Sequence, residues 1–598
     1  MWPSRLSRLR PPTVPCHAIP TPSGSHFTGG SPGVFRRGVN FRPRVLLMLC
    51  VGVVTCILLL NLLFIKRERH FRNAALLDIP ETENMESHLR REDVMLDRIR
   101  HGGRRGPVNL PEKIVHLDLK GAPLNVPYIE QVLPLLAKLG ATGILIEYED
   151  MFPYDGQLSG VSADNAYSKS DIHRILRAAK ANNLGVIPLV PTFGHLEFVL
   201  KLKTFDHLRE ASHNPQVLCP SRNGSVELVH EMLRQVIALH RNYSTHVHIG
   251  SDEVFVLGEC NLCQARMQKE QWDKDNLLIS HVTSIVKFVT HLGMQPILWD
   301  DMFRRVEEET IRSSPLVKLV EIMASCRVDT WRRFVWNYSK TVNLAGVLAK
   351  YMSTGFRGVW IASAFKGASG PASQVPDLRL HLLNHYSWMQ LVRQFSKKIA
   401  LKGIAITGWQ RFDHFGTLCE LFPVGLPTLA VCLGFLQKGR VDEQVLSDVS
   451  DVLKCNMRVP VFSDSDDSLP YLSCDYPGAQ VFSNIFHWMR LVEAKEQLMA
   501  TNQFQGWMTD VNRKYLFSSP QHVLQCTREL PSLTMSCAQL RQSMITSLTA
   551  VTDKYTAQEW VETFLDPLQN WFEQLQKDAD KILNEDAWPK RPLSKVIN

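Results

Sequence analysis

Residues 246–254 read HVHIGSDEV, a short apolar run that ends in two adjacent carboxylates, Asp252 and Glu253. Val247 and Ile249 alternate with histidines at the period of a strand, and Gly250 marks where the strand gives way to a loop. The same phrase repeats along the chain. Ile114–Leu119 (IVHLDL) runs into Asp118 and Lys120, and Gly143–Glu147 (GILIE) into Glu149 and Asp150. Gly185–Val190 (GVIPLV) leads to Thr192 and His195, and Pro296–Trp299 (PILW) to Asp300 and Asp301. Phe334–Trp336 (FVW) is followed by Asn337 and Tyr338, and Gly358–Ala362 (GVWIA) by Ser363 and Lys366. Gly403–Thr407 (GIAIT) precedes Trp409, Gln410 and Arg411. Helical patterns such as Ser170–Asn182, Asp275–His291 and Leu378–Lys397 lie between these runs. Eight alternating units imply parallel strands with helical crossovers. The expected fold is therefore α/β, a closed (β/α)8 barrel of the TIM type over residues 113–438. In such a barrel the C-terminal strand ends converge on one face, which carries the active site. The polar clusters all fall at that phase.

The flanks read differently. The chain carries a formal net charge of +8, but residues 1–72 hold eleven Arg or Lys against the single acid Glu68. That segment accounts for +10 and leaves −2 for the rest, so no basic surface for nucleic acid is expected. Residues 1–44, rich in Pro, Ser, Gly and Arg, read as a disordered cytoplasmic tail. Val45–Ile65 is a run of 21 uncharged residues, long enough as a helix to span about 30 Å of hydrocarbon. With seven Arg before it, this reads as a transmembrane signal anchor of type II. Residues 66–112 form a charged stem. Residues 439–598 read as a mostly helical C-terminal region. Its helices read as a separate region or as packed on the barrel, and the amphipathic stretch Glu559–Ile582 equally suits a coiled coil or partner helix; a homodimer is a further expectation.

On this reading the barrel faces a lumen, with Golgi membranes as the expected compartment and a soluble nucleocytoplasmic location as the alternative. Sequons at Asn223, Asn242 and Asn337 suit the luminal side. Ten of the thirteen cysteines follow residue 200 and could pair in an oxidising lumen. Cys260-Asn-Leu-Cys263 lacks a second pair at metal spacing, so it reads as a local disulfide or two free thiols rather than a zinc site.

Asp252 and Glu253 carry the chemistry. Two neighbouring acids repel, which raises the pKa of one and lets it donate a proton while the other stays ionised. The segment HxGxDE resembles the signature of glycoside hydrolase family 20, the β-N-acetylhexosaminidases. The resemblance extends through VHLDLKGAP at 115–123, LIEYEDMFPY at 145–154, VIPLVPTFGHLEFVLK at 186–201, LWDDM at 298–302, ASAFKGASGP at 362–371 and TGWQRFDH at 407–414.

This resemblance implies a retaining reaction in which the substrate's own 2-acetamido oxygen attacks the anomeric carbon. By position Glu253 matches the acid that protonates the leaving oxygen, and Asp252 the residue that orients the acetamide. His195 matches a histidine that supports the acid pair, and Trp336 and Trp409 match aromatic walls around the sugar. Asp118, Glu149, Asp150, Asp300 and Gln410 are candidates for hydroxyl contacts. The implied partner is a glycan or glycoconjugate, with no metal or organic cofactor.

Two departures stand out. Most members of the family carry an arginine after the first strand, where this chain has Lys120. Most carry a tyrosine near the end of strand seven, where this chain reads ASAFKG; Tyr338 is the nearest substitute. Two alternatives stay open. One is a weak or inactive barrel that binds carbohydrate as a membrane scaffold. The other is a glycosidase that pairs Glu253 with Asp300 as an enzyme nucleophile.

Overall fold

Each barrel strand is a short apolar run bounded by turn residues, and the computed structural model closes eight of them into one sheet. It describes residues 85–102, 106–325, 339–395, 398–461 and 472–593. The strands are β1 (Glu112–Asp118), β2 (Gly143–Glu147), β3 (Gly185–Leu189), β4 (His246–His248), β5 (Gln295–Trp299), β6 (Glu321–Ser325), β7 (Gly358–Lys366) and β8 (Leu401–Gly408). Every neighbouring pair is parallel, and β1 pairs with both β2 and β8, so no edge remains. The register sets Val115 beside Ile144 on one flank and beside Ile406 on the other. Between β3 and β4 contact narrows to the pair Leu189 and His248.

The expected strand positions hold to within a few residues, with one correction. The sixth strand, expected at Phe334–Trp336, is Glu321–Ser325. Its sequence EIMAS begins with an acid and reads poorly as a strand. Glu321 is nevertheless buried at the N-terminal end of the barrel. It accepts a 2.7 Å hydrogen bond from the Trp360 indole and pairs with Lys402 at 2.9 Å. A buried charge is tolerable when it is paired and hydrogen-bonded in this way. Phe334, Trp336, Asn337 and Tyr338 lie outside the described residues, as do residues 1–84 with the apolar run Val45–Ile65. No helix among the described residues is long and apolar enough to cross a membrane.

Inside the barrel Ile114, Leu145, Ile187, Ile297, Met323, Trp360 and Ala405 fill the lower layers. Helices cover the outside. The helix Lys169–Ala181 starts at a capping box between Ser168 and Asp171, which satisfies amides that the first turn would leave open. The last barrel helix, Phe422–Lys438, ends at Gly439 in the left-handed conformation.

The C-terminal helices pack on the barrel. Arg411, beside the end of β8, grips Glu559 with two bonds of 2.5 and 2.6 Å. The fully buried Trp560 donates to Gln374 at 2.7 Å, and Thr552 donates to the Pro123 carbonyl at 2.6 Å. The stripe that equally suited a partner is occupied within the chain. Leu568, Phe572, Leu575, Ala579 and Ile582 of the helix Asp566–Leu583 are buried, and that helix packs on Leu530–Val551 and Pro520–Thr527. It therefore offers no support for the homodimer.

Trp560 joins the two parts of the fold, so Trp560→Ala should cost about 3–5 kcal/mol of stability, the usual range for a large aromatic deleted from a core. Denaturant unfolding measures it, and a loss below about 1 kcal/mol would mean that the C-terminal helices rest on the barrel only loosely.

Candidate active site

The mouth of the barrel is built around a strained turn after β4. Gly250 has φ 60°, Ser251 has φ 68° and Glu253 has φ 54°. Left-handed non-glycine residues cost on the order of 1–3 kcal/mol each and persist only where surroundings enforce them. Here the Glu253 amide donates to the Asp301 carboxylate at 2.9 Å, Thr192 donates to the Ile249 carbonyl at 2.6 Å, and the Trp299 amide donates to the Gly250 carbonyl at 3.0 Å.

The loop after β3 comes to meet this turn. A Cβ on Gly194 would lie 2.1 Å from the Asp252 carbonyl oxygen, so only glycine permits the approach. The next residue, His195, takes φ 55° and turns its ring onto the acid pair. Its Nε2 lies 3.1 Å from Glu253 and 3.7 Å from Asp252, and its Nδ1 lies 3.9 Å from Glu197. Burial opposes an imidazolium here, but the Glu253 and Asp252 carboxylates outweigh it and hold His195 well above its ordinary pKa. Asp301 is the opposite case. Its Oδ1 is shut off from solvent without a hydrogen-bond partner, and burial together with the nearby Asp252 pushes its pKa up to about 8.

Across the mouth, β1 and β2 supply an ionic layer. Lys120 donates to Asp118 at 2.7 Å and lies 3.6 Å from Glu147, which meets His116 at 3.1 Å. All four residues are buried. Burial alone would raise the Glu147 pKa, yet the Lys120 ammonium and the His116 hydrogen bond bring it below the usual range. Asp118 also accepts from the Gln410 amide at 2.7 Å, which ties the end of β8 to the end of β1. Trp409 stands over this layer, 5.2 Å from Lys120 Nζ and 6.1 Å from the ring of Trp299.

The resulting cleft is lined by Lys120, Glu147, Leu189, Pro191, His195, Asp252, Trp299, Trp409 and Phe412. The structure brings Asp252, His195, Lys120 and Trp409 to it, as the sequence implied. Glu253 does not line the cleft; it is buried and meets the cleft through His195. Asp118 and Gln410 sit one layer below. Glu149 and Asp150 belong to a neighbouring cluster, with His414 at 2.8 Å from Glu149 and Lys201 at 3.7 Å from Asp150. Asp300 is committed elsewhere. It takes two bonds from Arg304, at 2.7 and 2.8 Å, one from the Ser325 amide and one from Tyr351. Of the anticipated residues, Trp336 and Tyr338 lie outside the described positions.

Sequence reasoning missed Glu147, Trp299, Asp301 and Phe412. Trp299 and Asp301 stood in the strand-end cluster Trp299-Asp300-Asp301, but choosing between neighbouring aspartates needs the backbone phase. His195, Asp252 and Glu253 are close enough to share a cation, as are Glu149, Asp150 and His414. In the first group the charged imidazolium competes with any such ion, because a histidine ligates only when neutral.

Residues 118–352 match the model of the glycosyl hydrolase family 20 catalytic domain. The chain is 36% identical to human hexosaminidase D over 487 residues, covering 80% of this chain and 96% of that protein. It is 43% identical to bovine hexosaminidase D over 346 residues, 57% of this chain and 96% of the relative. A β-N-acetylhexosaminidase structure from Bacteroides fragilis aligns with a TM-score of 0.42 at 14% identity, over 57% of this chain and 71% of that one.

The raised pKa of Asp301 gives a signed expectation. A carboxyl whose folded pKa exceeds its unfolded value of about 3.9 contributes stability that is complete below that value and is lost as pH rises through the folded pKa, about 8. Asp301→Asn keeps an acceptor for the Glu253 amide and cannot ionise. Thermal unfolding between acid and mildly alkaline pH should show the wild type losing stability relative to this variant as pH climbs. A difference that stays flat with pH would mean that Asp301 is not held protonated in the fold.

Proposed function

The chain belongs to glycosyl hydrolase family 20 and is a β-N-acetylhexosaminidase, and from that premise we propose that it removes terminal β-linked GalNAc or GlcNAc by a retaining, substrate-assisted mechanism. The observation that carries this reading is the contact of His195 with both Glu253 and Asp252, beside a cleft walled by Trp299 and Trp409. An aromatic wall packs against the apolar face of a sugar ring and the acetamido methyl. Asp252 faces the cleft, where its carboxylate can hold the acetamide nitrogen and balance the positive charge of an oxazolinium-like intermediate. An internal nucleophile gains from proximity, so no second carboxylate is needed.

In this scheme Glu253 protonates the leaving oxygen and then draws a proton from water. Its ion pair with His195 keeps it oriented as a carboxylate while the cleft is empty; to act it takes up a proton, from the imidazolium or from solvent, and its side chain turns outward to donate. His195 is a positioning residue that carries the compensating positive charge. Lys120 stands where most family members carry an arginine and can donate to a sugar hydroxyl, with Asp118 and Glu147 fixing its ammonium. The reading with Asp300 as nucleophile is not favoured, because Arg304, Ser325 and Tyr351 occupy that carboxylate and it does not line the cleft.

We also propose the layout that the sequence suggests: a tail, the anchor Val45–Ile65, a stem, and a luminal enzyme. Support comes from the 21 uncharged residues of that run, from the exposed Asn223 and Asn242, and from the disulfide Cys455–Cys474. If this holds, the chain made in mammalian cells stays in the membrane fraction after alkaline carbonate extraction and loses mass on enzymatic deglycosylation. Quantitative release with no mass shift would favour the soluble alternative.

The chemistry has its own test. Glu253→Gln should lower hydrolysis of β-N-acetylhexosaminides with poor leaving groups by about 10²–10⁴-fold, the usual worth of general acid catalysis. In parallel, an N-acetylhexosamine thiazoline, which mimics the cyclic intermediate, should bind more tightly than substrate by about 10²-fold or more, and Asp252→Asn should weaken it. Covalent trapping by a 2-fluoro sugar, with the thiazoline inert, would instead require an enzyme nucleophile.

A further inference from the structure

We propose that Cys219, Cys260, Cys263 and Glu210 form a tetrahedral zinc site that staples together the two loops carrying His195 and the Asp252–Glu253 pair. The four side chains come from two places. Glu210 and Cys219 lie on or just after the hairpin Arg209–Ala211 and Asn214–Leu218, in the loop that follows β3. Cys260 and Cys263 open the helix Asn261–Glu270, at the far end of the loop that follows β4. The pairing partner that the sequence lacked for Cys260-Asn-Leu-Cys263 thus arrives from about forty residues upstream.

The geometry suits a metal. Cys219 Sγ lies 3.4 Å from Cys260 Sγ and 3.5 Å from Cys263 Sγ, and one ligand atom from each of the four residues falls within 4.8 Å of the others. A disulfide needs about 2.05 Å, whereas thiolates at about 2.3 Å from zinc sit about 3.8 Å apart on a tetrahedron. The Cys263 amide donates to Cys260 Sγ at 3.4 Å, a bond that stabilises a thiolate in a Cys-x-x-Cys turn. Glu210 Oε1 accepts from the amides of Glu259 and Cys260 at 2.7 and 2.9 Å, which leaves Oε2 aimed at Cys263 Sγ, 3.1 Å away. Three sulfurs and one oxygen select zinc over calcium or magnesium. Half-buried Cys260 leaves a path for the ion, while Cys219 and Cys263 are buried. On binding, the three thiols release their protons to solvent and each sulfur forms one bond to the metal.

The staple is far from idle structurally. The hairpin is bonded to the loop that carries His195, through Leu218 N–H to the Phe193 carbonyl and Leu196 N–H to the Gln216 carbonyl, both at 3.1 Å. Holding the hairpin to Cys260 therefore holds the histidine against the acid pair. The zinc site stands whatever reaction the acid pair performs.

The test is the metal content of the full-length chain, purified without chelators or a metal-affinity step and measured by plasma mass spectrometry. About one zinc per chain is expected, with three thiols titrating in denaturant only after a chelator is added. Cys219→Ser and Cys263→Ser should lose the zinc, and Glu210→Gln should release it faster to a chelator. Cys432→Ser, buried outside this cluster, should keep it. Replacement by cobalt should give a thiolate-to-cobalt absorption band and the strong visible bands of a tetrahedral ion. A zinc-free wild-type protein with a disulfide among these cysteines would overturn the proposal. So would a zinc content unchanged in a folded Cys219→Ser variant.

Discussion

The approach of two loops at the barrel mouth governs this structure. The loop after β3 touches the loop after β4 at Gly194, where a side chain would collide with the Asp252 carbonyl. That contact delivers His195 to Glu253 and Asp252, and it is expensive. His195, Ser251 and Glu253 all sit at positive φ. A barrel with only one residue pair between β3 and β4 has little sheet to enforce such geometry there. The enforcement comes from side chains instead: Thr192 on the Ile249 carbonyl, Asp301 on the Glu253 amide, and the hairpin behind them. Strain of this kind is stored where a site must be preorganised.

Charge around the mouth follows from the same economy of space. Lys120, Asp118, Glu147 and His116 form a buried chain of pairs, each member satisfied by the next. Ion pairs in a dry interior contribute little net stability, since desolvation offsets their attraction. Their use here is positional. They fix the ends of β1, β2 and β8 against one another and set a single ammonium at the cleft surface. Opposite them, burial and the nearby Asp252 push Asp301 toward its neutral form, which limits the negative charge beside Asp252 and Glu253. One rim of the cleft is thus cation-bearing, and the other holds an acid pair whose charge His195 offsets in part.

Much of this was legible in the sequence because strand ends impose a phase. HVHIGSDEV, GVIPLV and GIAIT each announce a strand and then the residues it delivers, so Asp252, His195 and Trp409 could be named in advance. Phase also explains the failures. Asp300 and Asp301 are adjacent, and only the backbone decides that the first turns to Arg304 and the second to the acid loop. The strand EIMAS hid because its Glu321 is buried by long-range partners, Trp360 and Lys402, that no local pattern reports. The cysteine cluster hid for the same reason, its members being brought together by a hairpin and a helix start some forty residues apart. The apolar stripe of Asp566–Leu583 was visible, but periodicity cannot say whether its partner lies in the same chain.

The C-terminal helices, which carry no strand-end motif, make sense as a buttress for the loop after β8. That loop presents Trp409 and Phe412 to the cleft and rests on His116, Asp118, Lys120 and Gly121 on the β1 side. Arg411 lies between the two aromatics in sequence and points the other way, to Glu559, with its Nε on the Lys120 carbonyl. Trp560, the neighbour of Glu559, locks onto Gln374 of the loop after β7. The end of one helix, Lys554–Trp560, therefore braces the loops of β1, β7 and β8 together. A bidentate arginine pair with a half-exposed carboxylate adds modest stability, but it fixes direction well. Direction is what an aromatic wall needs, since stacking on a sugar depends on the angle of the ring more than on its area.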